Sequence, residues 1–397
     1  MGDDLAKKMD VRVAALLARP EVKKAMARIE ELVEDTVAAT IKICEVEAPP
    51  FLEGPRAELV ADMMREVGLS DVHVDEGPSA VGFLPAESGR KGEALLLAAH
   101  IDTVFPAGTD VRVKREGGYL VAPGVSDNSA SVAGLLTIAR VLRETGITLP
   151  REVIFAGNAG EEGLGDLRGM KVLMRTYKDR VSAALPVDGA IGAVTHAGVG
   201  SRRFKVTTHT PGGHSYGAFG VPSAIHGLGR MIAGIADVKV ASKPKTTYTV
   251  GVIGGGTSVN TIAPEAWMLV DMRSESADEL TKLEAQVRGL IDEGARRGEC
   301  TYDIEVVGDR PAGGIPLTAE LPQMVMAAHR ALGIKSHPEA SSTDANVPLS
   351  MGIPAVTIGV KRGHDAHLPT DRVEIDSLVP GMKNVLLCIL LATGYGE

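Results

Sequence analysis

Apolar residues recur at helical spacing through residues 35–43, and residues 55–67 open on a proline suited to a first turn, so both stretches predict helices. Strand patterns follow. Residues 72–74, 81–84 and 94–99 are short apolar or β-branched runs bounded by Gly, Ser or Pro, and the last is apolar throughout, as a strand buried on both faces should be. A helix at 129–145, a buried strand at 153–159 and a helix at 166–177 continue the alternation. Strand, helix, strand at this spacing predicts an α/β sheet covered on both faces.

Beyond Thr195 the rhythm changes. Residues 202–209 alternate as a half-buried strand, 223–235 read as a helix, 246–252 and 267–273 as strands, 277–295 as a helix and 302–307 as a closing strand. That order, βαββαβ, is the ferredoxin-like unit and can build its own core. Turn-rich segments, HAGVG at 196–200 and RPAGG at 310–314, flank it. From Pro316 helix and strand alternate again, through a strand at 355–360 to a helix at 378–391. The predicted organisation is therefore an α/β domain, residues 1–195 and 311–397, interrupted by an α+β domain at 196–310.

Composition removes several function classes. The 397 residues are 44% apolar and 23% charged, the balance of a globular chain. A net charge of -9 with only 3% aromatic residues argues against an extended nucleic-acid surface, which needs basic stripes and stacking rings. Cys44, Cys300 and Cys388 stand far apart with no CxxC spacing, against a disulfide framework or a thiolate zinc site. The N-terminal MGDDLAKK has neither the order of a secretory signal nor the Ser or Thr of a myristoylation signal, and the longest apolar run, 385–392, is well short of the roughly 20 residues that span a bilayer. The expectation is a soluble, cytoplasmic protein with no nucleic-acid or membrane partner.

The candidate chemistry collects just past the apolar runs. His100-Ile101-Asp102 follows the strand at 94–99, at the kind of sheet edge where open α/β folds bind ligands. His100 can ligate a metal there, and Asp102 can hold its second ring nitrogen. Asp127 sits in a Gly- and Ser-rich turn before a helix, a place that suits a helix cap and equally a carboxylate bridging two cations. Glu161 and Glu162 follow the strand at 153–159, and two adjacent carboxylates there call for a cation or a proton between them. One can ligate while its neighbour serves as general base. Asp188, and then His364 and His367, again follow apolar segments. A carboxylate and imidazole set of this size, without thiolates, suits two divalent ions of the zinc, manganese or cobalt type and an activated water.

In this order, AAHIDTVFP, APGVSDNSASVAGLL, NAGEEGLGD, PVDGA, HTPGGHSYGAFGVPSAI, SSTDANVPLSMGIPAVTIG and AHLPTD resemble the M20 family of co-catalytic metallopeptidases, particularly its peptidase T-like branch, over the chain from about Cys44 onward. The resemblance implies a mixed-sheet phosphorylase/hydrolase-like catalytic domain with an inserted ferredoxin-like lid that dimerises. It implies two divalent ions per subunit, zinc first with manganese or cobalt as alternatives: one held by His100 and Asp188, the other by Glu162 and His367, with Asp127 between them. Glu161 would be the general base, Asp102 would orient His100, and the Asp127–Asn128 peptide would be cis. His367 is chosen because His-Leu-Pro-Thr-Asp resembles the family's frame, with His364 as the alternative. On the lid, His214 resembles a histidine that reaches across the dimer to an oxyanion, and Asn260 and Arg273 resemble residues that grip substrate. Ser342 and Thr343 resemble cleft-wall partners. The chain departs from the branch at Asp371, where Glu is commoner, and at Val360-Lys-Arg-Gly, where a glycine-rich run is usual.

Within that family, Asp at the position of Asp188 tends to accompany enzymes acting on peptides with a free amino end. The expected activity is thus a di- or tripeptide aminopeptidase working on a small peptide or amide. The alternatives are an N-acyl amino-acid amidohydrolase or deacylase, and a catabolic hydrolase of a carbon–nitrogen bond in a small non-peptide. A non-catalytic binding protein on the same fold is the reading from another class; it would have lost the base or a ligand, and all six residues are present.

Overall fold

A computed structural model describes residues 2–87 and 93–397; Met1, the first residue of the MGDDLAKK segment, lies outside them. The protein is a mixed α/β chain with several sheets. It divides into two compact units: the chain up to Gly198 together with Gly314–Glu397, and Val199–Gly313.

In the first unit, five strands lie in the order Ser70–Val74, Ala80–Leu84, Val153–Asn158, Ala94–His100, Val181–Pro186. The first two pair antiparallel, and Ala80–Leu84 runs antiparallel to Val153–Asn158. Ala94–His100 runs parallel to both of its neighbours and is an inner strand of the sheet. Leu95, Leu97 and Ala99 enter one hydrophobic core and Ala94, Leu96 and Ala98 the other. This two-sided burial is why the strand carries no polar alternation.

Helices Ala130–Glu144 and Leu378–Thr393 fill the first core, and Arg168–Tyr177 packs into the second. Residues Ile375–Thr393 are long and apolar enough to cross a membrane by length and composition, and 72% of that stretch is buried inside the fold, as in a core helix. Ahead of the predicted helices, the structure adds Gly2–Ala18 and Pro20–Glu31. Met9, Val13 and Leu16, at helical spacing, are buried against this core.

Two differences from the sequence reading bear on the site. The strand expected at 355–360 is only Thr357–Ile358, continued by isolated bridges that include Ala190 to Lys361. A small antiparallel sheet, ordered Gly363–His364, Arg372–Glu374, Tyr119–Val121, Lys114–Glu116, has no counterpart in the prediction. Its strands have two or three residues, too short to show a period, and Arg372–Glu374 pairs with Tyr119–Val121 across more than half the chain.

The second unit is a four-stranded antiparallel sheet ordered Thr246–Gly255, Glu265–Ser274, Gly200–His209, Thr301–Arg310. Helices Ala224–Ala236 and Ala277–Gly298 cover one face, and Phe204, Met268 and Val270 meet Leu228, Met231 and Ile291 in a core of its own. The helices approach so closely that a Cβ on Gly298 would sit 2.6 Å from the Gly227 Cα. The opposite face alternates toward solvent, as the half-buried pattern requires.

Candidate metal centre

Four of the five expected ligands come from segments that follow an apolar strand or open a helix, and the fifth, His367, lies in the turn between Gly363–His364 and Arg372–Glu374. His100 ends the inner strand Ala94–His100, level with Asn158 on the neighbouring strand. Glu161 and Glu162 follow that neighbour, and Asp188 follows Val181–Pro186. Asp127 lies in the irregular turn before helix Ala130–Glu144, and its peptide to Asn128 is cis. It does not cap that helix.

The two Asp127 carboxylate oxygens face different imidazoles: Oδ1 is 3.1 Å from His100 Nε2, and Oδ2 is 3.1 Å from His367 Nε2. His367 Nε2 also lies 2.9 Å from Glu162 Oε1. Ligand atoms of His100, Asp127 and Glu162 fall within 4.8 Å of one another. His364 turns elsewhere, its Nε2 2.9 Å from Glu374 Oε1, so His367 is the histidine brought to the centre. Asp188 is close enough to act electrostatically on His100, and its Oδ1 is 3.9 Å from the Lys361 ammonium.

Asp102 is the hub behind these groups. Its main-chain oxygen lies 3.1 Å from His100 Nδ1, which directs Nε2 at Asp127, and its carboxylate lies 3.7 Å from the same nitrogen. The carboxylate accepts the main-chain N–H of Glu161 at 3.0 Å and of Glu162 at 2.8 Å, fixing the segment that carries both glutamates. Glu161 is itself buried.

Burial works against a protonated His100, yet the hydrogen bonds to Asp102 and Asp127 prevail and hold its pKa well above the ordinary value. For Asp127, burial works to raise the pKa, and hydrogen bonds to His100 and His367 overcome it and bring it below the usual carboxylate range. Hydrogen bonds to Asp127 and Glu162 lift the His367 pKa to about 10. The donor set is imidazole nitrogen and carboxylate oxygen without thiolate, with one carboxylate facing two ways; this chemistry fits a pair of divalent cations.

Sequence reasoning missed the layer beneath. Arg56, fully buried, donates to the main-chain oxygens of Val46 at 2.6 Å, Ile101 at 2.8 Å and Cys44 at 3.0 Å, and so anchors the His100–Asp102 segment from below. Asp371 accepts from the main-chain N–H of Ser126 at 3.0 Å and of Asp127 at 3.3 Å, and also bonds the Ser126 hydroxyl. Asn158 donates to Asp344 at 2.8 Å, and burial raises that carboxyl to about 6. Asp344 stands inside SSTDAN, one residue beyond the expected pair Ser342 and Thr343. Thr343 faces inward: its hydroxyl meets Thr357 at 2.8 Å and accepts the Ala345 N–H at 3.2 Å. Ser342 follows the strand His337–Ser341.

The remaining expected residues belong to the second unit. His214 is exposed, and its Nδ1 accepts the N–H groups of Tyr216 and Gly217, both at 3.3 Å, which puts the ring proton on Nε2 as an outward donor. Its turn pairs with Thr261–Ile262, and the Asn260 main-chain oxygen accepts from Ser215 at 2.9 Å, so His214 and Asn260 share one end of the unit. Arg273 stands near the other end of strand Glu265–Ser274, about 27 Å from Glu265 at about 3.4 Å per residue, with Nε 2.7 Å from Asp271.

A model of the peptidase family M20/M25/M40 matches residues 96–390. The N-formyl-4-amino-5-aminomethyl-2-methylpyrimidine deformylase of Bacillus subtilis is 26% identical, over 95% of this chain and 97% of that protein. Among solved structures, aminopeptidase PepT from Bacillus cereus superposes with a TM-score of 0.75 at 21% identity, covering 91% of this chain and 98% of that one. A tripeptidase from Staphylococcus aureus gives 0.76 at 20% identity, covering 91% and 99%. These structures share the fold.

Proposed function

The chain belongs to the peptidase family M20/M25/M40 and is a metallohydrolase of that family, and from that premise we propose that it is a two-metal aminopeptidase of di- and tripeptides. The observation that carries the two-metal reading is Asp127, one oxygen turned to His100 and the other to His367 beside Glu162. His100 and Asp188 would hold one divalent cation, Glu162 and His367 the other, with Asp127 shared; zinc is the first choice, manganese and cobalt the alternatives. When bound, such cations supply Lewis acidity and make a water molecule acidic enough to react near neutral pH.

The chain's own groups do the rest. Glu162 faces His367, and Glu161, buried beside it, takes the base role that the family resemblance implies, accepting a proton from the attacking water and returning it to the leaving amine. Asp102 holds His100 and both glutamates in register. His214 Nε2–H is a donor suited to the oxyanion that develops on the scissile carbonyl. His214 and Arg273 stand at opposite ends of the inserted unit, so a single copy does not present both at one place; this supports a homodimer formed through that unit, with His214 and Asn260 serving the partner's site.

A second reading is favoured by the deformylase relative: removal of a small acyl group from an amine. Metal-replete protein is given Leu-Gly-Gly, its N-acetylated form and an N-formylated arylmethylamine, and released amine or formate is quantified. Cleavage of free Leu-Gly-Gly alone supports the aminopeptidase. Cleavage of the acylated compounds alone overturns it in favour of the deacylase.

A further inference from the structure

Lys361 stands in the turn where Val360-Lys-Arg-Gly departs from a glycine-rich run. Among the described residues it is the only lysine in the buried set, with 3% of its side chain exposed. Its ammonium donates to Asn128 Oδ1 at 3.0 Å and to Ser131 Oγ at 3.2 Å, and lies 3.9 Å from Asp188 Oδ1. Asn128 Nδ2 donates onward to the main-chain oxygen of Val187 at 2.9 Å. The backbone of Lys361 is held as well: its carbonyl accepts from Ile191 at 2.7 Å, and it bridges Ala190.

Asn128 follows Asp127, and Val187 precedes Asp188. One buried ammonium therefore ties together the two segments that bring carboxylates to the His100 side of the centre. A lysine taken out of water is retained where acceptors are placed for it, and these are. Its charge acts in a water-poor interior, where like charges a few ångströms apart repel far more strongly than in solution. A divalent cation on Asp188 must share that carboxylate's field with a neighbour that cannot leave.

We propose that Lys361 is a built-in cation of the metal centre, a positioning residue that holds Asn128 and Asp188 in place and weakens the hold of the His100 and Asp188 half on its metal. That half then fills second and exchanges faster than the half built on Glu162 and His367. The inference rests on the two-metal reading given above.

Mn²⁺ binding to metal-stripped protein, followed by isothermal titration calorimetry, tests it without reference to turnover. Wild type should take two ions of unequal affinity. Lys361→Met should tighten the weaker ion by tenfold or more and change the tighter one by less than threefold; Lys361→Gln, which can still donate to Asn128, should do the same. In a His367→Ala background, where the other half keeps only Glu162 and the shared Asp127 and is weakened, Lys361→Met should bring the same gain at the His100 and Asp188 half. Unchanged or weaker binding in both Lys361 variants, with circular dichroism and melting temperature preserved, overturns the proposal and leaves the two-metal reading standing. Wild type that binds no Mn²⁺ overturns that reading and the proposal with it.

Discussion

Glu161 and Glu162 are neighbours in sequence, both held by Asp102 through their main-chain N–H groups, and Glu162 is turned to His367. Replacing Glu161 with alanine should lower kcat by about 10²–10⁴-fold while two metals per chain are retained, as turnover assays and metal analysis on one preparation would read; full turnover at full metal content would remove it from the base role. His367 brings a pH dependence whose sign follows from its pKa of about 10 against an ordinary value of 6.5. Raised in the folded state, it stabilises the metal-free protein fully below about pH 6.5, and that contribution disappears as the pH climbs to about 10. Metal must displace the same proton, so calorimetry at pH 7.5 in buffers of different ionisation enthalpy should register proton release. Wild type with no release, or a His367→Ala variant with equal release, would contradict the assignment. These residues were legible because each follows an apolar run or a turn. Asp371 was visible only as a replacement for Glu, since its hydrogen bonds reach Ser126 and Asp127 across some 245 residues of chain, where no motif points.

Long elements with one strong period could be read from the sequence; short ones held together from a distance could not. The inner strand Ala94–His100 and the helix Leu378–Thr393 each announce burial by unbroken apolar runs. The pairing of Arg372–Glu374 with Tyr119–Val121 in the small sheet is invisible locally, yet that sheet frames the turn carrying His367, whose φ is +67°. Helix Glu320–Ala331 carries a second titration. His329 is fully buried, its Nδ1 meets Ser336 Oγ at 2.9 Å, and burial together with the nearby His337 and Arg330 charges lowers its pKa to about 4. The unfolded chain takes up this proton below about 6.5 and the folded one only near 4, so stability should fall across that window, by about 3 kcal/mol in order of magnitude. Urea midpoints from pH 7 to pH 4 should show the decline in wild type and a flatter profile in His329→Asn; equal slopes would assign the acid sensitivity elsewhere.

At the scale of the whole molecule, the change of rhythm after Thr195 was readable because the inserted segment repeats a complete βαββαβ order with its own core. Which residues of that unit meet at one place was not readable, since strand Glu265–Ser274 separates Arg273 from His214 by its length. If His214 serves the partner's site, mixing two inactive variants, His214→Ala and Glu161→Ala, under conditions that exchange subunits should restore about a quarter of wild-type activity, because about half the dimers are hybrids and each hybrid rebuilds one site. No recovery in a mixture proven to contain hybrids would rule out the crossing. The interleaving of the two units also sets an order of events during synthesis. Val199–Gly313 is continuous in sequence and has its own core, so a ribosome finishes all of it before His367 is made. The centre, by contrast, joins His100 to a histidine in the last thirty-odd residues of the chain. A nascent chain can therefore carry a finished insert while the unit it interrupts still lacks His367.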